Sequence, residues 1–109
     1  MKIHLLFILY FIIYSSYSQD KIEWIELDNN VEYTNNGKKI IIDLYTDWCG
    51  WCKVMDKNTF TDSEVVSLIN KNFSPVKFNA EYQGNVNFND NSFKFIKSGN
   101  RGINELAYH

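Results

Sequence analysis

Cys49 and Cys52 are the residues whose type and spacing carry the most chemistry in this chain, and they are its only cysteines. At the start of a helix, two cysteines at i and i+3 can close into a small ring. The first thiol then sits among unpaired N–H groups at the positive end of the helix dipole, which favours the thiolate. Thiolate is the attacking species in disulfide exchange. The second sulfur, one turn further on, is close enough to attack a mixed disulfide and release the product. Other uses of the pair compete. A structural disulfide closing so short a loop removes little unfolded-state entropy and makes a poor staple. Zinc needs four ligands, usually completed by a second Cys or His pair, and the chain's only histidines are His4 and His109. A bare Cys-X-X-Cys also occurs by chance, whereas a strand, the motif and then a helix form a much more specific pattern.

The flanking residues have that pattern. Ile40-Ile41-Ile42-Asp43-Leu44-Tyr45-Thr46 is a β-branched run of the kind found in a strand buried on both faces. Asp47-Trp48-Cys49-Gly50-Trp51-Cys52-Lys53 follows directly, and Val54 to Asn58 continue as helix. Thr61-Asp62-Ser63-Glu64 reads as a capping box opening a second helix with Val65, Leu68, Ile69 and Phe73 at helical spacing. Pro75 ends that helix, and Val76 to Ala80 form another strand. Upstream, Lys21 to Leu27 leans towards a short strand. Asp28 caps a short helix through Val31 and Tyr33 that stops at Gly37. Downstream, Val86-Asn87-Phe88 and Phe93 to Ile96 flank Asn89-Asp90-Asn91-Ser92 as a hairpin. Ile103, Leu106 and Ala107 begin a helix near Gly102 that has no C-cap before His109. Strands alternating with helices give an α/β sandwich around a partly parallel sheet.

A chain of 109 residues holds one domain. With 45% apolar and 17% aromatic residues it has enough to bury a core. Its net charge of −2 gives no argument for nucleic acid or an anionic membrane surface. Residues 1–18 are expected to be a signal peptide: Lys2 leads into an apolar run from Leu5 to Tyr14, followed by Ser16 and Ser18 at the cleavage site. The run is shorter than the ~20 residues that span a bilayer. A buried N-terminal element and a retained anchor are the alternatives. Residues 19–109 are then one exported domain, periplasmic or secreted, with no stable membrane span. In that setting cysteines are expected to pair, and His4 departs with the signal peptide.

The segment from Asp43 to Lys53 resembles the thioredoxin signature. The run Lys53 to Phe60, with Asp62 and Val65 after it, is similar to the C-terminal domain of DsbD-type thiol:disulfide interchange reductases and to related exported thioredoxin-like proteins. The likeness covers roughly Trp24 to Ala80 and, more loosely, Gly102 to Tyr108. It implies a thioredoxin-like α/β fold, a mixed sheet flanked by helices, with Cys49 as nucleophile and Cys52 as resolving cysteine. Asp43 takes the place of the buried carboxylate that accepts a proton from the second thiol; the alternative is a strand-edge Asp facing solvent. Trp48 flanks the thiols and shapes a docking face, or is an ordinary aromatic. Gly50 and Trp51 lie between the cysteines, Lys53 on the helix surface, and Asp47 in solvent.

Two departures stand out. Trp51 replaces the usual proline, and Pro75, the chain's one proline, does not match the family's cis-proline. That cis-proline strand, its hairpin partner and a closing helix belong after the helix near Gly102. The expectation is therefore a domain incomplete at its C-terminus, with β-strand Ile40–Thr46 lacking a neighbour or a covering layer. The function implied is disulfide exchange with exported protein disulfides or dithiols, served by a redox partner protein, without cofactor or metal. A non-catalytic thioredoxin-fold binding domain, an inactive truncated fragment and a metal carrier are the alternative readings.

Overall fold

The computed structural model describes residues 20–27 and 37–108. The expected signal peptide and the expected helix through Val31 and Tyr33 lie outside the described residues. Strands β1 (Ile25–Glu26), β2 (Lys39–Tyr45) and β3 (Phe73–Asn79) pair in parallel in the order β1-β3-β2. The chain passes from β2 to β3 through helices α1 (Gly50–Asn58) and α2 (Ser63–Asn72), the long crossover that a parallel pair requires. Two antiparallel hairpins follow. One joins β4 (Val86–Phe88) to β5 (Asn91–Phe93), and the other joins β6 (Phe95–Ser98) to β7 (Arg101–Asn104). A 3₁₀ turn, Glu105–Tyr108, comes last. Strands alternating with helices around a parallel sheet are the α/β layout expected of a thioredoxin-like fold.

The sheet divides two apolar clusters. On one side Ile25 and Ile40 pack with Leu27, Val76, Phe78, Val86, Phe88 and Leu106. On the other, Trp24, Ile41 and Phe60 pack with Ile22, Val66 and Ile69. β3 is the central strand, and Val76 and Phe78 are its fully buried anchors. β2 is an edge strand within this sheet, and Ile42 and Leu44 are 36% and 43% exposed. The expectation of burial on both faces is corrected accordingly. A β-branched, mostly apolar run records what a strand can bury, not whether neighbours arrive on both sides.

Local chemistry explains the other adjustments. Asp62 caps α2, its carboxylate accepting from the amides of Glu64 at 3.0 Å and Val65 at 3.2 Å, so the capping residue is one position later than the box headed by Thr61. The buried face of α2 is Val66 and Ile69, and Leu68 is 56% exposed. The helix stops at Asn72, and Pro75 lies inside β3 opposite Ile41. The β1 ladder reaches only Val76 and Lys77, so no strand on that side needs the missing proline N–H.

The expected single hairpin is two. Asn89 and Asp90, at φ 49° and 62°, make the two-residue turn with both residues left-handed that matches strand twist. Phe95 and Ile96 belong to the second hairpin, where Ile96 pairs with Ile103. Ile103 is therefore a strand residue, and only the 3₁₀ turn with Leu106 and Ala107 remains of the expected helix.

Asn104 locks these pieces together. It is fully buried, and its amide donates to the carbonyls of Tyr82 at 3.2 Å and Gly84 at 3.1 Å. Its side-chain oxygen accepts from the Leu106 N–H at 3.1 Å. Asn104→Leu removes these three hydrogen bonds and is expected to cost about 1–3 kcal/mol. Leu44→Ala, at an exposed position, is expected to cost much less, within about 0.5 kcal/mol. Urea unfolding midpoints of the two variants check the ranking.

Candidate functional site

β2 ends at Tyr45, and a turn in which the Cys49 N–H donates to the Thr46 carbonyl at 3.2 Å delivers Cys49 to the start of α1. Cys49 is the N-cap of that helix, with extended backbone angles. Its sulfur accepts the Cys52 N–H at 3.2 Å. Cys49 and Cys52 form a disulfide with an S–S distance of 2.08 Å and a Cα–Cα separation of 5.3 Å. Both residues are half-buried. In the reduced form the same amide and helix dipole act on whatever charge Cys49 carries, so they favour its thiolate.

The neighbouring residues present a broad surface. Trp48 is 69% and Trp51 81% exposed, and Val54 and Met55 are each 44% exposed. Gly50 opens α1 with free space where a Cβ would stand, and Lys53 is exposed on the same helix. The Trp48 indole N–H lies 3.2 Å from both carboxylate oxygens of Glu81, which fixes the ring direction beside Cys49. Asp47 is exposed, with Asn79 Nδ2 at 3.5 Å from its carboxylate, and Asn79 Oδ1 accepts the Glu81 N–H at 2.9 Å. These contacts gather just beyond the C-terminal ends of β2 and β3, where open parallel sheets place their ligand sites.

Between β2, β3 and α1, register sets the electrostatics. Asp43 pairs with Lys77 across the β2–β3 ladder, and residues paired across parallel strands project to one face. Lys77 Nζ donates to Asp43 Oδ2 at 2.9 Å and to Asp56 Oδ1 at 2.5 Å. The Lys77 and Asp43 side chains are each 15% exposed and that of Asp56 42%. The ammonium also lies 5.0 Å from the Trp24 ring, 5.4 Å from Tyr45 and 5.8 Å from Phe60, within cation–π range. Burial by itself lowers the Lys77 pKa, but the hydrogen bonds to Asp56 and Asp43 outweigh it and hold the group above its usual value. Burial first, then the carboxylates of Glu26 and Asp47, raise the Tyr45 hydroxyl. Asp56 is four residues after Cys52 on α1 and so shares its helix face. Through Lys77, the helix carrying Cys52 is tied to the strand carrying Asp43.

Of the residues singled out in the sequence, Asp43 is half-buried on the lysine-bearing face and Trp48 borders Cys49. Trp51 and Lys53 face solvent. Lys77, Asp56 and Glu81 escaped sequence reasoning. A lysine between Val76 and Phe78, and an acid at i+4 from Cys52, were the available signals; the register that joins them was not. No group of three or more potential metal ligands occurs among the described residues. None of their helices is long and apolar enough to cross a membrane.

A DsbH-type thioredoxin family model, described as "Protein of unknown function, DUF255", matches residues 12–101. Curated relatives match locally. The Thiol:disulfide interchange protein DsbD of Haemophilus ducreyi is 59% identical over 29 residues, which is 27% of this chain and 5% of that protein. DsbD of Actinobacillus pleuropneumoniae is 55% identical over 31 residues, 28% of this chain and 5% of that protein. DsbD of Pseudoalteromonas atlantica is 48% identical over 33 residues, 30% of this chain and 6% of that protein. The chain thus spans about a twentieth of the length of these relatives. No solved structure gave a significant match.

The Lys77 cluster has a pH signature. Its folded-state pKa lies above the ordinary value of 10.5. The associated stability is therefore fully present below that value and is lost as pH rises through the folded pKa. Lys77→Met is expected to cost about 1–3 kcal/mol near neutrality by leaving Asp43 without its donor. The difference between wild type and variant is expected to shrink from about pH 10 upward. Chemical unfolding of both proteins across that range measures it; a constant difference would deny Lys77 its alkaline contribution.

Proposed function

The chain belongs to the DsbH-type thioredoxin family, and from that premise we propose that it is an exported thiol–disulfide oxidoreductase acting on protein substrates through Cys49 and Cys52. The observation that carries this reading is the Cys49 sulfur at the N-cap of α1, accepting the Cys52 amide while bonded to the Cys52 sulfur. A structural staple has no need of that helix-start position, whereas a nucleophilic thiolate gains from it.

In the reduced protein the Cys49 thiolate attacks a substrate disulfide. A Cys49–substrate bond forms as the substrate bond breaks, and one substrate sulfur leaves as a thiolate that takes a proton from water. Cys52 gives its proton to the Asp43 carboxylate and attacks the Cys49 sulfur. The second substrate sulfur departs as a thiolate and takes the proton held by Asp43, and the Cys49–Cys52 disulfide is restored. The substrate gains two electrons and the protein loses two, which a redox partner protein returns; run backwards, the same steps oxidise a dithiol. Lys77 and Asp56 hold Asp43 in place for the proton step. Trp48, Trp51 and Gly50 form the docking face around the sulfurs, and Lys53 adds positive charge to the rim. Residues 1–18 supply the export signal. The DsbD relatives, named as interchange proteins, support the same class of chemistry.

Alkylation of the reduced protein under mild conditions, followed by peptide mapping, is expected to label Cys49 before Cys52. A Cys52→Ser variant is expected to accumulate mixed disulfides through Cys49, visible on non-reducing gels. Predominant labelling of Cys52 would reverse the two assignments. Asp43→Asn, nearly isosteric but unable to take the proton, is expected to slow single-turnover release by roughly 10²-fold at neutral pH while leaving attack by Cys49 in place. Unchanged release would remove Asp43 from the mechanism.

A further inference from the structure

The β6–β7 hairpin stands across from Trp48, the residue before Cys49, because the backbone ties it to the end of β2. The Ala80 N–H donates to the carbonyl of Tyr45 at the end of β2, and the Ala80 carbonyl accepts the Asn104 N–H from the end of β7, each at 2.8 Å. Between this hairpin and Trp48 lies an open cleft of about 610 Å³, lined among others by Trp48, Glu81, Phe95, Lys97, Arg101 and Gly102. Gly102 has a steric reason to be glycine: a Cβ there would stand 2.2 Å from the Phe95 ring and 2.5 Å from the Ile96 carbonyl oxygen. Phe95 can therefore lie across the hairpin and line the cleft.

The charges in the cleft are unequal. Lys97 and Arg101 are exposed, and the ion pairs found are those of Lys77, so neither has an acidic partner among the described residues. Glu81 carries the opposing charge, with both oxygens directed to the Trp48 indole. The balance is two cations against one engaged carboxylate, in a chain whose net charge is −2. Long-range attraction of an acidic protein is therefore absent, and any preference has to be read locally.

We propose that this cleft is a substrate subsite that takes an acidic stretch of polypeptide flanking the substrate's disulfide, with Lys97 and Arg101 reading its carboxylates and Trp48 forming the wall towards Cys49. The inference rests on the thiol–disulfide reading and adds a substrate class to it. Its volume is in the range of sites for a few side chains, and Trp48, which lines it, is the residue immediately before Cys49, so a segment bound in the cleft is delivered towards the cysteine-bearing turn.

Two synthetic peptides test it. Each carries one cysteine as a thiopyridyl mixed disulfide, flanked by glutamates in one and by glutamines in the other. Reduced protein converts either peptide to its free thiol and releases thiopyridone, ending as the Cys49–Cys52 disulfide, and the released thiopyridone is followed optically. The acidic peptide is expected to react roughly three- to tenfold faster, the scale of two exposed charge pairs. The advantage is expected to fade at high salt. In Lys97→Glu/Arg101→Glu the preference is expected to reverse, and in Lys97→Gln/Arg101→Gln to vanish. Equal rates in the wild type, or an acidic preference that survives both double variants, would overturn the subsite while leaving the redox reading intact. Failure to reduce either peptide would overturn the redox reading and the subsite with it.

Discussion

The parallel ladder between β2 and β3 is the constraint on which the rest of the structure depends. It pairs Ile42 with Val76, Asp43 with Lys77 and Leu44 with Phe78. Side chains in strands alternate between faces, so a slip of one residue would move Asp43 and Lys77 to opposite faces. The buried residues of β3 oppose such a slip. Val76 and Phe78 fill one apolar cluster, and exchanging them with Lys77 would bury an ammonium among aliphatic side chains. Packing on one face thereby aligns charge on the other.

That alignment gives the site an unusual support. One ammonium serves a carboxylate from the strand and a carboxylate from the helix, under three aromatic rings. A mostly buried lysine without such partners would tend to lose its proton. Here the two acids keep it charged, and its charge in turn keeps them close. The cluster joins β2 to α1 at a point one helical turn from Cys52, while the N-cap arrangement acts on Cys49 directly. The two cysteines thus meet different environments: one faces the backbone dipoles of the helix start, the other lies on the face that leads to the acid–lysine cluster.

The downstream hairpins connect to this core through a few backbone and amide contacts. Ala80 bridges Tyr45 and Asn104, and the Asn104 side chain satisfies three backbone groups at once. Because those bonds are buried and paired, the hairpin is held at a set distance from Trp48, and the cleft between them is a consequence of core hydrogen bonding. The exposed apolar residues Ile42 and Leu44 mark the other side of β2, where the sheet offers an edge within the described residues.

Much of this was legible from residue order alone. A β-branched run followed by Cys-X-X-Cys defined β2, the start of α1 and the reactive pair, because strand propensity, helix-start chemistry and sulfur reach all act over a few residues. The start of α2, to within one residue, and the turn at Asn89–Asp90 were readable for the same reason. Long-range pairing was not. Nothing in the spacing of Asp43, Asp56 and Lys77 announces that they meet, since register depends on which apolar side chains fill the two clusters. The same ignorance carried the α2 pattern on to Phe73, which opens β3, treated β2 as covered on both faces and continued Ile103 into a helix. Ile103 became a strand residue because Ile96 was available to pair with it, and Trp48 acquired its direction from Glu81, thirty-three positions away. Local sequence determined the chemistry that the two sulfurs can perform; only tertiary contact, by satisfying buried polar groups and filling the apolar clusters, decided which charges and which cleft surround them.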